Sequence, residues 1–204
     1  MSRGLWMPAA TTSKPAIDWL AWLRAVLVAG LCLGSVMAAA ASEFDAAVKA
    51  YNKKQYGKAF PVFRKLAVSG DADAQFRLGG LYFKGHGVKQ NAAEAVAWFQ
   101  KAATQGHAEA QNSLGVRYEK GQGVTQDYAA AAKWYREAAD QRLGLAQDNL
   151  SDLHAKGLGV ARDPVLAHVW SSLAGANGEA AAVRKRAALE SAVSSTKPQQ
   201  IDES

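Results

Sequence analysis

The sequence has one cysteine, five prolines and few successive β-branched residues. Because Cys32 is alone, no intramolecular disulfide can form, and the fold cannot depend on one. Abundant alanine and other helix formers favour an all-α fold over strands. No run of five like charges occurs, and acidic residues are interleaved with the basic residues that give the net charge of +6. This charge pattern predicts a solvated surface rather than a nucleic-acid-binding one.

Catalytic and metal-binding motifs are also missing. The chain has no G-x-S-x-G, Walker A or H-E-x-x-H sequence, and its four histidines do not pair at i, i+4. Ser194 to Lys197 fit the S-x-x-K motif of penicillin-recognising enzymes. Pro198 follows them, however, no K-T-G accompanies them, and the polar C-terminal segment offers nothing to hold a nucleophile rigid. We therefore expect no catalytic residue, no metal and no cofactor.

The N-terminal segment has the features of an export signal. Residues 25–37 are uncharged and mostly apolar, Arg24 precedes them, and four alanines ending at Ala41 follow. This order is typical of a secretory signal peptide, and we expect cleavage after Ala41. Because the region before the apolar stretch is long, a start at Met7 or an uncleaved anchor over residues 17–41 stays open. Arg24 would be costly inside such a membrane span.

The sequence from Ala74 onward repeats with a period of 36 residues. The motif Gly-x-Gly-Val stands at residues 85–88, 121–124 and 157–160, and several alanine and leucine positions return at the same interval. Agreement of independent positions at one period is a strong sign of stacked structural repeats. Tryptophan also recurs, and we expect this column in the core between neighbouring repeats. Its members are Trp98, Trp134 and Trp170.

Each repeat is predicted to contain two antiparallel helices. Apolar residues spaced i, i+4, i+8 from Ala74 mark one face of the first helix, and Gly85 supplies the left-handed residue after its end. Asn91, Asp127 and Asp163 share one column and are predicted N-caps of the second helices. The chain then divides into a signal peptide (1–41), a helical repeat domain (42–193) and a polar tail expected to be disordered (194–204). The predicted hairpins cover residues 43–69, 70–105, 106–141 and 142–177, and a cap helix covers 179–193.

The pattern A-x3-L-G-x2-Y-x2-G-x-G-V, followed by Asn or Asp and by A-x2-W-x3-A-A, resembles the Sel-one-like repeat (SLR), a relative of the tetratricopeptide repeat. The resemblance covers about residues 43–185 and implies a right-handed α-solenoid of antiparallel helix pairs. The third unit departs from the pattern, with Ser151 for the small Gly79, Ser171 for the second aromatic and Arg142 for Gly106. The first unit matches at Ala74, Leu78, Gly79, Tyr82, Gly85, Gly87, Val88, Ala95, Trp98, Ala102 and Ala103.

This resemblance implies an adaptor scaffold rather than an enzyme. Exported bacterial proteins of this build restrain envelope sensor kinases or organise polysaccharide secretion, and a disulfide-rich secreted subgroup is linked to penicillin binding. We expect a non-catalytic, periplasmic or secreted protein that binds a partner protein and no nucleic acid. It would touch a membrane only through an uncleaved signal, as an inner-membrane protein facing the periplasm. A weak penicillin-recognising hydrolase is the alternative, because fold alone does not decide function.

In tetratricopeptide-like arrays the first helices line a concave groove, and a partner is recognised by groove residues that differ between repeats. Phe76 and Phe83 are candidate hydrophobic anchors, although Phe83 would equally suit the edge of the core. Phe76, Asn112 and Asp148 share one column yet differ, so we expect the fold not to depend on them. The predicted partner-binding residues are Asp45, Lys49, Asn52, Asp73, Phe76, Phe83, Glu109, Asn112, Val116, Glu119, Asp148 and Asp152.

Overall fold

A computed structural model of the chain describes residues 40–179, 182 and 189–190. The chain divides into two compact units, residues 1–41 and 42–204, and all but two of the described residues belong to the second. The predicted signal peptide, the tail and most of the predicted cap helix therefore lie outside the described residues.

Residues 40–179 form eight helices and no strand. Helix α1 includes residues 40–52, and each of the seven that follow has 13 residues. The equal lengths reflect the 36-residue period. The bounds are α2 Tyr56–Val68, α3 Ala72–Lys84, α4 Ala92–Thr104, α5 Ala108–Lys120, α6 Tyr128–Asp140, α7 Gly144–Lys156 and α8 Pro164–Ala176.

Helices that follow one another in the chain also pack against one another, from α2 through to α8. Helix α1 packs on α2 through an edge-on contact between the rings of Phe44 and Phe63, with centroids 5.6 Å apart. The result is a stack of antiparallel helix pairs, α1/α2, α3/α4, α5/α6 and α7/α8. The predicted right-handed α-solenoid is confirmed, and its core is a series of small clusters, each shared by neighbouring pairs.

The predicted capping residues are confirmed. The carboxylate of Asp127 accepts a hydrogen bond from the Ala130 N–H at 2.9 Å, and Asn91 and Asp163 cap α4 and α8 in the same way. These contacts satisfy N–H groups that a helix leaves unpaired at its start. At the other end of the first helices, Gly85 takes the expected left-handed conformation, with φ +70°.

The second glycine of each Gly-x-Gly-Val motif has a further role that the sequence did not show. A Cβ atom on Gly87 would lie 2.8 Å from the backbone of Tyr56, at the start of the second helix of the preceding hairpin. Only glycine lets these two backbones approach so closely. The motif therefore joins successive hairpins as well as ending a helix. The three pairs are Gly87 with Tyr56, Gly123 with Ala92, and Gly159 with Tyr128.

Two members of the tryptophan column, Trp134 and Trp170, pack against core clusters between hairpins as predicted, but only one is buried. Trp134 of α6 packs against the cluster formed by α4 and α5 and stays half-buried, as does Trp98. Trp170 is buried. In the helices of Trp98 and Trp134 the buried aromatic side chain is instead at the next position, Phe99 and Tyr135. Helix geometry explains the difference, since neighbouring residues point about 100° apart and only one can face the core directly.

The departures of the third repeat compensate for one another. In the first repeat the Phe99 ring lies against Gly79, where a Cβ would be 2.7 Å from the ring. The third repeat replaces the aromatic by Ser171, and the space left accommodates Ser151 in place of the glycine. Both serine hydroxyls are buried and donate hydrogen bonds, Ser151 to the Ala167 carbonyl at 2.7 Å and Ser171 to the Ala182 carbonyl at 2.9 Å.

A buried glutamine near the start of α3, α5 and α7 connects the ends of several helices. The side-chain amide of Gln111 donates to the Ala103 carbonyl at 3.1 Å, and its oxygen accepts from Gln141 at 2.7 Å. This column also recurs every 36 residues, and it holds consecutive hairpins in register. The equivalent contacts are those of Gln75 with Ala67 and Gln105, and of Gln147 with Ala139 and Asn177.

Candidate functional site

The first helices of successive hairpins lie side by side. The rings of Phe76 in α3 and His107 at the start of α5 are 4.7 Å apart, and Asn149 of α7 donates to Asn112 of α5 at 3.0 Å. We call the surface made by the exposed and half-buried side chains of α1, α3, α5 and α7 the inner face. This is the surface for which the sequence predicted partner binding.

A hollow of about 320 Å³ opens on the inner face between α1, α3 and α5. Its apolar walls are aromatic: Tyr51 from α1, Phe76 and Phe83 from α3, and Phe99 from α4. Ligand pockets in proteins measure roughly 300–1,000 Å³, so this volume suits one or two side chains rather than a large cofactor. We call this hollow the aromatic pocket.

The charged side chains in the wall of the aromatic pocket are basic. Arg77, Lys84 and Arg117 contribute to it, and none of the acidic residues in the described part of the chain does. Arg77 and Lys84 are exposed, whereas Arg117 is half-buried. The pocket thus combines an apolar interior with positive charge at its rim, and its electrostatic potential favours an anionic group.

Arg117 is in an unusual environment. Its guanidinium carbon lies 3.8 Å from the centroid of the Phe83 ring, and its Nε and Nη1 atoms are buried without a hydrogen-bond partner among the described residues. Burial lowers the pKa of this guanidinium, and the nearby Tyr135 opposes that effect. An arginine side chain nevertheless stays protonated at physiological pH. The Arg117 guanidinium is therefore a partly desolvated positive charge whose Nε and Nη1 groups have no hydrogen-bond acceptor among the described residues.

The repeat itself shows how exceptional this arginine is. One period earlier the position is Leu81 and one period later it is Leu153, and both leucines are buried in the core. A fold that needed only packing would have leucine at residue 117 as well. Packing alone therefore does not explain the arginine, because burying part of a charge without acceptors costs free energy.

Gly80 is the second exception to the repeat at this site. It lies inside α3, where glycine destabilises a helix by about 1 kcal/mol relative to alanine. The equivalent residues are Val116 and Asp152, so the fold accepts a side chain at this position. A Cβ on Gly80 would meet nothing within 4 Å. The missing side chain therefore leaves open space, and that space is part of the aromatic pocket.

A second, smaller hollow of about 220 Å³ adjoins the first and shares Phe76 and Arg77 with it. His107 lines it and also caps α5, because its Nδ1 accepts a hydrogen bond from the Ala110 N–H at 3.2 Å. Nε2 must then carry the ring proton, and it lies 3.0 Å from the Asp73 carboxylate. This hollow is more polar than the aromatic pocket, and its histidine is used to cap a helix.

Four of the predicted partner-binding residues come together at these two hollows. Phe76 and Phe83 line the aromatic pocket, and Asp73, Phe76 and Glu109 line the smaller one. Both phenylalanines also pack against the core cluster of α4 and α5, so each belongs to the core edge and the pocket at once.

Other predicted residues make contacts within the fold. The Tyr135 hydroxyl donates to the Glu119 carboxylate, Asn112 accepts from Asn149, and Val116 packs against a core cluster. Burial of the Tyr135 ring, reinforced by that hydrogen bond, raises the pKa of the tyrosine well above its usual value. Phe76 and Asn112, which the fold was expected not to depend on, each contact a neighbouring helix, and their effect on stability stays a prediction.

The remaining predicted residues are spread along the inner face. Asp45, Lys49 and Asn52 are exposed on α1. Asp152 lies 3.9 Å from Lys156 one turn further along α7, and Asp148 on the same helix is half-buried and has a contact of its own. None of these five lines the aromatic pocket.

Gly80 and Arg117, which define the pocket, were not among the residues predicted from the sequence. Comparison of the repeats at the 36-residue period could have identified both. Arg117 interrupts a column of leucines, and Gly80 is a glycine inside a helix at a position where the other repeats have a side chain. Gly80 shares its column with the predicted groove residues Val116 and Asp152 but has no side chain, and Leu81 and Leu153 mark the arginine column as core.

Among the described residues, no group of three or more histidine, cysteine, aspartate or glutamate side chains is arranged to hold a metal ion. Within residues 40–179, 182 and 189–190, no helix has both the length and the apolar character needed to cross a membrane.

Comparison with known proteins agrees with the geometry. The family model of the Sel1 repeat matches three consecutive segments, residues 72–107, 108–143 and 144–179, which together make up more than half of the chain. Each matched segment begins within one residue of the start of a first helix. A search of curated proteins gives no match.

Solved structures with the same fold include a Sel1 repeat protein from Oxalobacter formigenes, with 34% identity, a TM-score of 0.67 and coverage of 70% of this chain and 59% of that one. The protective antigen c5321 of uropathogenic Escherichia coli, which has an SLR fold, shares 31% identity with a TM-score of 0.71 and coverage of 76% and 34%. Cysteine-rich protein B of Helicobacter pylori is 21% identical over 63% of this chain and 95% of that one, with a TM-score of 0.52, and supports the fold alone. The chain thus spans less than two thirds of the length of the first two.

Proposed function

Because the chain belongs to the Sel1 repeat family, whose members are generally protein-interaction scaffolds, we propose that it is an exported, non-catalytic adaptor of the bacterial cell envelope. It binds a partner protein on its inner face and acts through that partner on a signalling or secretion system. The observation that carries the proposal is the aromatic pocket. At Gly80 and Arg117 the repeat gives up helix stability and core packing, and both changes shape one recess on the surface where tetratricopeptide-like arrays bind partners.

Export is supported by the apolar segment that ends in Ala39-Ala40-Ala41. We expect the mature protein to begin at Ser42 and to appear in the periplasmic or secreted fraction. N-terminal sequencing of protein recovered from separated cell fractions measures both. Recovery of residues 1–41 on a protein that carbonate does not release from the inner membrane would instead establish the anchored form.

Partner binding on the inner face can be mapped with a photo-crosslinking amino acid placed at single exposed positions. Lys49 and Glu109 are exposed on first helices, and Ala97 and Lys133 are exposed on second helices. We expect cross-linked products in envelope extracts when the cross-linker is at Lys49 or Glu109. We expect none when it is at Ala97 or Lys133. Products from the second-helix positions alone would mean that the partner docks on the opposite surface, and products from no position would contradict the adaptor function.

A nitrocefin assay on the mature protein tests the enzymatic alternative. The motif that suggested a penicillin-recognising hydrolase, residues 194–197, lies outside the described residues, so its support rests on sequence alone. As a control, the mature protein should not hydrolyse nitrocefin, and Ser194→Ala should behave like the wild type. Turnover that disappears in Ser194→Ala would replace the adaptor proposal with the hydrolase.

A further inference from the structure

We propose that the aromatic pocket binds an extended acidic segment of a partner protein, with one large apolar side chain seated on the phenylalanine rings and a neighbouring carboxylate paired with Arg117. The inference rests on the proposed adaptor function and specifies the chemistry of the partner. It also identifies Gly80 and Arg117, neither of which belongs to the repeat pattern, as the residues that create the site.

The apolar part of this ligand follows from the walls and the size of the pocket. Phe76, Phe83 and Phe99 provide aromatic surface on one side of a recess of about 320 Å³. A large aliphatic or aromatic side chain entering it would leave water and gain contacts with these rings. The gap at Gly80 admits the side chain, because a residue such as the valine found at the next repeat would partly fill that space.

The acidic part follows from Arg117. A carboxylate can accept two hydrogen bonds from a guanidinium in a planar arrangement, and such pairs are strong where water is excluded. The guanidinium carbon lies 3.8 Å from the centroid of the Phe83 ring, so a cation–π contact holds the charge at the pocket wall. The Nε and Nη1 atoms are buried without a partner within the described chain, so the guanidinium charge is poorly compensated, and a carboxylate bound beside the guanidinium would stabilise that charge.

The rim charges favour more than one acidic residue. Arg77 and Lys84 flank the pocket, are exposed, and lie on α3, the helix that also carries Phe76 and Phe83. Exposed charges contribute little to affinity individually but speed association and favour acidic partners. A segment in which acidic residues surround the apolar one therefore matches the whole opening, whereas a neutral apolar segment would match only its interior.

The probe is a set of acetylated and amidated heptapeptides, Gly-Ser-Glu-X-Asp-Ser-Gly, in which X is Phe, Leu, Met or Trp. Binding to the mature protein is followed by amide chemical shifts, which report both the affinity and the residues affected. We expect at least one of these peptides to shift the amides of Gly80, Ser113 and Arg117. Replacing both acids by their amides, or X by serine, should weaken binding by about tenfold or more. Added salt should also weaken it.

Arg117→Leu separates a binding role from a structural one. It restores the residue found one repeat before and one repeat after, so the melting temperature should be unchanged or higher. Affinity for the acidic peptide should nevertheless fall by about tenfold or more. A lowered melting temperature with unchanged affinity would assign Arg117 to the fold and overturn the proposal.

Two further variants keep the test decisive if Arg117→Leu fails to fold. Gly80→Leu places a side chain in the open space and improves helix propensity, so it should abolish binding without loss of stability. Lys84→Gln should weaken binding about two- to threefold. Its matched control, Lys120→Gln, changes the equivalent lysine of the next repeat, which does not line the pocket, and should have no effect.

Failure of this proposal is distinguishable from failure of the adaptor function. If no peptide of the set shifts the pocket amides, or if the neutral peptides bind equally well, the acidic-segment proposal is overturned. Cross-links from Lys49 and Glu109 would in that case still establish a partner on the inner face. Peptide binding in the absence of any cross-link would establish the pocket and contradict the envelope adaptor.

Discussion

Gly123→Ala should destabilise the protein by about 2–5 kcal/mol, although it adds a single methyl group. Gly123 has φ +82°, a conformation that costs a residue with a Cβ roughly 1–2 kcal/mol. Its Cβ would also collide with the backbone of Ala92 at the start of α4. Because the obstacle is main chain and not a flexible side chain, hairpins α3/α4 and α5/α6 would have to separate, which adds a further overpacking cost of about 1–3 kcal/mol.

Gly106→Ala is the matched control for this prediction. Gly106 also has positive φ, +88°, but a Cβ there would have no atom within 4 Å. Gly106→Ala should therefore lower the free energy of unfolding only by the cost of the backbone conformation, about 1–2 kcal/mol. Urea unfolding of both variants, followed by helical circular dichroism, measures the difference. Equal losses would show that the second glycine is needed for its backbone angle alone and that the hairpins do not meet at Gly123.

The other large expected effect is at Tyr135. Its ring is fully buried and lies against Gly115, where a Cβ would be 2.6 Å away. Removing a buried aromatic ring leaves a cavity between α5 and α6, and Tyr135→Ala should lower the free energy of unfolding by about 3–5 kcal/mol. Trp134→Ala, one residue earlier, should lower the free energy of unfolding by less, because that tryptophan is half-buried. Thermal and urea unfolding of the two variants would test this order, and a greater loss at Trp134 would contradict it.

Tyr135→Phe separates the ring from its hydroxyl. Phenylalanine already occupies this column at Phe99, so the ring should fit without strain. The variant loses only the hydrogen bond to Glu119, and the expected cost is about 1–2 kcal/mol. A loss as large as that of Tyr135→Ala would mean that the hydroxyl, and not packing of the ring, holds α6 against α5.

The sequence by itself determined the period, the helices and their ends. Helix boundaries depend on nearby residues, so the caps at Asn91, Asp127 and Asp163 and the turn at Gly85 were predictable from local rules. The period of 36 then implied stacked pairs, because a repeat that cannot bury its own apolar face must bury it against the next.

Only the tertiary structure decided which side chains face the core and which face open space. The period shows that Leu81, Arg117 and Leu153 share a backbone position, but their neighbours come from helices many residues away in the chain. Arg117 lies on the ring of Phe83, 34 residues earlier in the sequence. Likewise, the space at Gly80 exists because of where α1 and α5 pass. Such features depend on distances between helices, and local sequence patterns carry no information about those distances.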